Sequence, residues 1–353
     1  MSVHLISADQ AMARYDQFDA VIDARSEGEH AEDHLPGALN WPSLNNEERI
    51  RVGTLYKQVS PFEAQKIGAA LVAANISRHI QTHVLDKPKG WQPLVYCWRG
   101  GKRSNSLAFI LGQIGFKVHL IEGGYKAFRK AVVDDTPARV APLQFRVLCG
   151  PTGSGKTRLL QALAAQGAQV LDLEAIACHR ASVLGVIPGQ PQPTQKAFET
   201  RLWDALRRLD PSRPVFVEAE SKKVGNVTIP DSLIEAMRQS PCVRLELSLA
   251  HRVQLLMEDY DYFVKDAALF CERLDRLSDL KGRAVVEDWK ARAHAGQTAE
   301  VVAELLEKHY DPGYETSTER NFRQYAQAAK LTLSGPDVQA MQAAALQCLT
   351  QNG

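Results

Sequence analysis

Long apolar runs, paired cysteines and an excess of charge of either sign are all missing from this chain of 353 residues. No stretch approaches the ~18 consecutive apolar residues that a membrane-spanning helix needs. The first ten residues also lack the basic-then-apolar pattern of a secretory leader. The expected setting is therefore cytoplasmic, with no membrane partner. The six cysteines, at 97, 149, 178, 242, 271 and 348, include no Cys-x-x-Cys pair. That scatter argues for free thiols and against disulfides or zinc. Lys and Arg number 42 against 41 for Asp and Glu. The balance holds along the chain, with 16 against 15 in residues 1–138 and 26 against 26 in the remainder. No positive stripe of the kind that advertises a nucleic-acid binder is visible. Repeats and low-complexity tracts are absent as well.

What is present is enough apolar material for packed cores, 45% of all residues, over a length that suits about two domains. The segment Thr136-Pro137-Ala138-Arg139-Val140-Ala141-Pro142 reads as the boundary, giving domains 1–138 and 139–353. Short apolar runs alternate with helical patterns through most of the chain, so the expected class is α/β. Beyond about Asp261 the pattern becomes successive amphipathic helices, over Ala299 to His309, Thr318 to Ala329 and Asp337 to Leu349.

Two loops carry the chemistry. In the first, the apolar run Pro93-Leu94-Val95-Tyr96 reads as a strand and Ser104 to Ile114 as a helix. Cys97 thus sits on the turn between them, followed by Trp98, Arg99, Gly100, Gly101, Lys102, Arg103 and Ser104. Unpaired amides of a first helical turn and three nearby cations favour the thiolate over the thiol. The same groups would cradle an incoming oxyanion, so nucleophile and anion site come as one unit. Arg103 lies six residues after Cys97, a Cys-x5-Arg spacing. An isolated cysteine is more often buried and inert, but the density of cations and glycines here points to reactivity.

The second loop is Gly150-Pro151-Thr152-Gly153-Ser154-Gly155-Lys156-Thr157, a full Gly-x4-Gly-Lys-Thr phosphate loop (P-loop). Gln144 to Cys149 reads as the preceding strand and Thr157 to Leu163 as the following helix. Its amides would wrap a phosphate chain, Lys156 would bridge oxygens, and the Thr157 hydroxyl could take Mg²⁺. The loop recognises pyrophosphate geometry, for which a nucleotide such as ATP is the default ligand. Strands over Gln169 to Glu174, Pro214 to Glu220 and Pro241 to Leu247 are expected beside it. Asp172, Glu174, Glu218 and Glu220 fall at strand ends and are candidate acids or metal partners. No metal is assigned firmly. Cys149 reads as core and Arg252 as a solvent-facing helical residue, with a phosphate clamp as the alternative. The clusters Arg201, Arg207, Arg208 and Arg213, then Lys281, Arg283, Lys290 and Arg292, then Arg320, Arg323 and Lys330 read as solvated faces or as tracks for a phosphate backbone. Trp98, Tyr260, Tyr262 and Phe263 could stack a base.

Val21-Ile22-Asp23-Ala24-Arg25-Ser26, His34 to Pro42 and Gly115 to Phe128 resemble the opening and closing signatures of the rhodanese family, over about residues 15–135. Asp23 and Arg25 then read as fold-stabilising polar groups. The usual rhodanese loop has its arginine one residue nearer the cysteine; the wider loop is shared with phosphatases of the same fold, where it admits a tetrahedral phosphate, so the resemblance implies a larger tetrahedral donor than sulfane sulfur. Joined to the P-loop half, and with Gly53 to Gln58 and Pro61 to Ala64, the whole resembles the tRNA 2-selenouridine synthase family. The resemblance implies an N-terminal rhodanese-like domain and a C-terminal P-loop NTPase-like parallel-sheet domain with a helical extension. It implies conversion of 2-thiouridine at position 34 of tRNAs for Lys, Glu and Gln to 2-selenouridine. Selenophosphate would be the donor, selenium would pass through Cys97, and S-geranyl-2-thiouridine would precede it, made with geranyl diphosphate whose pyrophosphate the loop Gly150 to Thr157 would grip in preference to a nucleotide. No tightly bound cofactor is implied. Partners would be the tRNA anticodon loop, the small donors and a selenophosphate-producing enzyme. Other readings remain: a Cys-x5-Arg phosphatase or oxyanion reductase fused to a kinase-like module, an ATP-dependent tRNA sulfurtransferase, or a rhodanese fold that only binds a partner. The phosphatase needs an acid beside Cys97 that cannot be identified, and the last is at odds with an intact Cys97.

Overall fold

The structure is a computed structural model describing residues 3–180, 185, 187 and 189–352. Its contacts divide the chain into two compact units, one of residues 1–136 and 193–204, the other of residues 137–192 and 205–353. The helix Gly124–Val140 runs through the expected boundary, with Pro137 inside it. The proline-flanked segment Thr136 to Pro142 is thus helical as far as Val140. The Thr136 hydroxyl donates to the Val132 carbonyl at 2.7 Å.

The first unit is built on five parallel strands, β1 (Val3–Ile6), β2 (Ala20–Asp23), β3 (Leu39–Asn40), β4 (Pro93–Tyr96) and β5 (Val118–Ile121), in the order β1-β5-β4-β2-β3. Every residue of β4 and β5 is buried, as expected for central strands with both faces covered. One face packs Tyr15, Leu94, Tyr96 and Phe128 with Trp203; the other packs Trp41, Val95, Leu107 and Leu120. Trp203 is fixed by donating its indole N–H to Asp135 at 2.9 Å, which ties residues 193–204 into this unit. Two helices, Asn46–Gln58 and Pro61–His83, pack against each other between β3 and β4. The first starts at a reciprocal capping box of Asn45 and Glu48, a signal that satisfies two otherwise orphaned amides.

The second unit holds another parallel sheet, β6 (Gln144–Cys149), β7 (Gln169–Leu171), β8 (Pro214–Glu218), β11 (Cys242–Glu246) and β12 (Ala329–Thr332), in the order β12-β11-β6-β8-β7. A short antiparallel pair, β9 (Lys223–Val224) and β10 (Val227–Thr228), stands apart from it. Cys149 is fully buried on β6. Helices between β11 and β12 form a separate apolar cluster around Phe270, Leu274, Trp289 and Leu305.

One helix is shorter than its pattern. The expected Thr318 to Ala329 helix stops at Asn321, and Ala329 opens β12 instead. That strand lies on the sheet edge, pairs only with β11 and buries just Leu331. An edge strand with one buried side chain has no alternating apolar signature, so pairing decided what periodicity could not.

Asp23 and Arg25 form a buried ion pair at 2.6 Å, and Arg25 also donates to the Asp33 carbonyl at 2.6 Å. Burial alone would raise the Asp23 pKa, but His30 and Arg25 outweigh it and hold the carboxyl below its ordinary range. The contribution of a carboxyl so depressed is complete above the unfolded pKa of about 3.9 and is lost as pH falls through the lower folded value. Replacing Arg25→Leu strands the Asp23 charge, and urea unfolding at pH 7 should show a loss of about 3–5 kcal/mol.

Candidate functional site

The Cys97 loop joins β4 to the helix Lys102–Ile114, whose N-cap, Gly101, offers no side chain to the first-turn amides. Among the described residues no side chain caps those amides, which leaves them to face an anion. Cys97 is only 3% exposed, and its sulfur accepts a hydrogen bond from the fully buried Ser104 hydroxyl at 3.0 Å. Such a bond strengthens when the sulfur carries charge. A second helix, Gly124–Val140, begins against the back of the loop. The Tyr125 amide donates to the Cys97 carbonyl at 2.8 Å and the Lys126 amide to the Trp98 carbonyl at 3.1 Å. With its carbonyls held from behind, the loop can present amides at its front.

That contact leaves no room for a side chain. Gly124 has φ +59°, and a Cβ there would lie 2.2 Å from the Cys97 carbonyl oxygen and 2.5 Å from the Gly100 nitrogen. Arg103, expected on the anion, is oriented by Glu29, with contacts of 2.7 and 3.3 Å. Burial tends to raise the Glu29 pKa, yet Arg103 prevails and keeps it below the usual range. Arg99, Gly101 and Lys102 are exposed, while Trp98 and Gly100 are half-buried.

Beside this loop opens an apolar cavity of about 1290 Å³ among the helices Asn46–Gln58, Pro61–His83 and Lys102–Ile114. Val52, Val72, Ile76, Ile80 and Phe109 line it, together with Lys102 and Arg103. No motif announces this cavity, because its residues are spread over three helices.

In the second unit the P-loop leaves β6 and enters the helix Lys156–Ala165. Lys156 donates to the Gly150 carbonyl at 2.6 Å, and the Gly150 amide donates to the Tyr314 hydroxyl at 2.5 Å. Burial raises the Tyr314 pKa, keeping that hydroxyl neutral. Arg252 is 6% exposed, so the expected solvent-facing position is wrong. Its guanidinium donates to the Thr152 carbonyl at 2.9 and 2.7 Å and to Asp311 at 2.8 and 2.6 Å. Distant chain segments supply these braces, which local pattern could not reveal. Pro151, Thr152, Gly153 and Thr157 are half-buried in the loop, whereas Ser154 and Gly155 are buried.

The loop faces a polar cavity of about 410 Å³ whose lining includes Lys156, Thr157, Glu174, Glu218 and Glu220. Three of the four expected acids meet: one carboxylate oxygen from each of Glu174, Glu218 and Glu220 lies within 4.8 Å of the others. Asp172 does not join them; it caps the helix Leu173–Ala177 by accepting the Ala175 amide at 2.8 Å. Glu218 is 2% exposed, and its Oε1 has no hydrogen-bond partner among the described residues. Burial first, then the Glu174 charge, push its pKa up to about 8, partly offset by Lys156. Glu220 moves the same way for the same reasons. The Thr157 hydroxyl reaches Glu174 at 3.5 Å.

Of the basic clusters, the one at 281–292 is largely neutralised. Lys290 pairs with Asp275 and Glu287, and Arg292 with Asp288 and Glu304. Lys330 likewise meets Glu246 at 3.1 Å.

The rhodanese-like domain family matches residues 7–131, and the family described as the tRNA 2-selenouridine synthase AAA domain matches residues 143–275. A tRNA 2-selenouridine synthase of Nitrosomonas europaea is 38% identical over 262 residues, 72% of this chain and 67% of that protein. That of Alcanivorax borkumensis is 34% identical over 328 residues, 84% and 88%. That of Pseudomonas putida is 31% identical over 353 residues, 90% and 91%.

The Gly124 contact yields a direct test. In Gly124→Ala the loop must open, so alkylation of Cys97 by iodoacetamide, followed by peptide mass spectrometry, should change rate by about tenfold or more while circular dichroism keeps its helical signal.

Proposed function

The chain belongs to the tRNA 2-selenouridine synthase family, and from that premise we propose that it replaces the 2-thio sulfur of the wobble uridine in tRNAs for Lys, Glu and Gln with selenium. The observation that carries the reading is Cys97 at the centre of a loop whose carbonyls are tied back and whose helix-start amides no described side chain caps. Selenophosphate is a tetrahedral anion that such amides, with Lys102 and Arg103, would hold. Selenium is then carried on Cys97. Forming the S–Se bond lifts selenium from the selenide to the persulfide level. The P–Se bond breaks with its electron pair on phosphorus, which leaves as phosphite; the Cys97-bound selenium displaces the thioether from the uridine C2, and a second thiol then cleaves the S–Se bond, ending as a disulfide with Cys97. Attack on C2 by selenophosphate held in the loop needs no such exchange, and it is the competing route.

Sulfur at C2 departs more readily as a thioether, which is the chemical reason for a prior S-geranylation. The geranyl chain needs an apolar seat. The P-loop cavity is polar, whereas the cavity beside Cys97 is apolar, carries two cations and exceeds the ~300–1,000 Å³ of ordinary ligand sites. We therefore place geranyl diphosphate there, with Lys102 and Arg103 toward its phosphates. The P-loop is left for a nucleotide.

The residues around the P-loop fit a magnesium ion. The donors are all oxygen, and Glu218 Oε1 is buried without a partner among the described residues. Thr157, Glu174, Glu218 and Glu220 would hold the ion. When bound it would neutralise phosphate oxygens. Lys156 would bridge the same phosphates, and Arg252 would keep Thr152 in place.

Three variants test the scheme by mass spectrometry of digested tRNA. Cys97→Ser should make no 2-selenouridine, and wild type exposed to selenophosphate should carry selenium on the Cys97 peptide. Full activity in Cys97→Ser sinks the carrier role, and turnover with no adduct favours direct attack. Ala69→Phe, which fills the apolar cavity, should cut S-geranyl-2-thiouridine by about tenfold or more. Lys156→Ala should lose nucleotide binding yet keep geranylation; loss of geranylation instead would return the prenyl donor to the P-loop.

A further inference from the structure

A column of three stacked side chains ends in the Cys97 loop itself. The Arg25 guanidinium lies 4.1 Å from the centre of the Tyr125 ring. Tyr125 in turn stacks on Trp98, with ring centres 5.3 Å apart and planes 24° from parallel. Both inner members are held firmly. Arg25 is fixed by Asp23, and the Tyr125 hydroxyl donates to Asp33 at 2.7 Å. They are buried, whereas Trp98, the outermost ring and the residue next to Cys97, is half-exposed.

Two cations join Trp98 through the backbone, Arg99 as the next residue and Lys126 by a main-chain hydrogen bond. Arg99 and Lys126 are exposed, and among the described residues neither meets an acidic side chain within ion-pair distance. This contrasts with Lys290, Arg292 and Lys330, which are engaged by acids. Lys126 is anchored at the site through its own backbone, since its amide donates to the Trp98 carbonyl. Two uncompensated positive residues joined through the backbone to a pre-ordered aromatic ring match a nucleotide strand, whose bases stack and whose phosphates repeat beside them.

From this we infer that Trp98 stacks a base of the substrate RNA, and that Lys126 and Arg99 hold the phosphates flanking it. The inference rests on the tRNA reading above and adds which surface of the first unit receives the strand. The ordering of Trp98 is already supplied by Tyr125 and Arg25, so little freedom is lost when a base arrives. Lys126 lies outside the Cys97 turn and takes no part in holding selenophosphate. It therefore reports on RNA alone.

The experiment uses the full chain and an anticodon stem-loop RNA bearing 2-thiouridine, with binding read by fluorescence anisotropy at several salt concentrations. Trp98→Leu should weaken binding about tenfold or more, while Trp98→Phe, which keeps an aromatic face, retains most of it. Lys126→Ala should weaken binding and lower the salt slope by about one, and the remote Lys117→Ala should do neither. In Lys126→Ala the KM for RNA should rise while that for selenophosphate and the rate of Cys97 alkylation stay as in wild type. Should Trp98→Leu and Lys126→Ala bind RNA like wild type, the inference is wrong and the tRNA reading stands. Equal losses for selenophosphate and RNA in Lys126→Ala would also overturn it, since they mark a merely structural role. If the wild-type chain neither binds nor converts the RNA, the tRNA reading falls and this inference with it.

Discussion

A loop that grips an anion with its amides must turn its carbonyls outward, and something else must satisfy them. This single constraint organises both candidate sites. At Cys97 the donors are the first amides of the helix Gly124–Val140, which take the Cys97 and Trp98 carbonyls. At the P-loop they are side chains: Lys156 on the Gly150 carbonyl and Arg252 on that of Thr152. An unpaired buried carbonyl costs about 1–3 kcal/mol, so without these donors each loop would rotate and lose its anion-facing geometry.

The two solutions differ in what they demand of the chain. Backbone-to-backbone support needs close approach, and Gly124, with its positive φ, is where that demand falls. Side-chain support tolerates distance. Arg252 reaches Thr152 from a helix 100 residues on and is itself steadied by Asp311. Burial then sharpens the chemistry inside each loop. The Ser104 hydroxyl meets the Cys97 sulfur away from water, and the Glu218 and Glu220 carboxyls resist ionisation until a cation or Lys156 compensates them.

Much of this was legible beforehand because the signals are local. Strand, turn and helix around Cys97 and around Gly150 each occupy one continuous stretch, and the P-loop spacing is its own geometric specification. That Asp23 and Arg25 stabilise the fold was readable from the resemblance, and the structure shows that they do so as a pair. Illegible were contacts that join distant segments: Glu29 on Arg103, Tyr314 on Gly150, and the three helices around the apolar cavity. Arg252 looked like a surface residue because helical periodicity cannot show what packs over a given face. The edge strand β12 was hidden for the related reason that its partner, β11, defines it.

Sequence by itself determined the family, the α/β class, the two loops and the residues on them, since these follow from short patterns and local propensity. Tertiary structure alone decided which of the acids meet, with Glu174, Glu218 and Glu220 gathered and Asp172 turned to capping. It also decided where an apolar chain could sit and which cations stay free of acids. Those outcomes depend on distances between segments far apart in the chain, and packing sets such distances only once the sheets have formed.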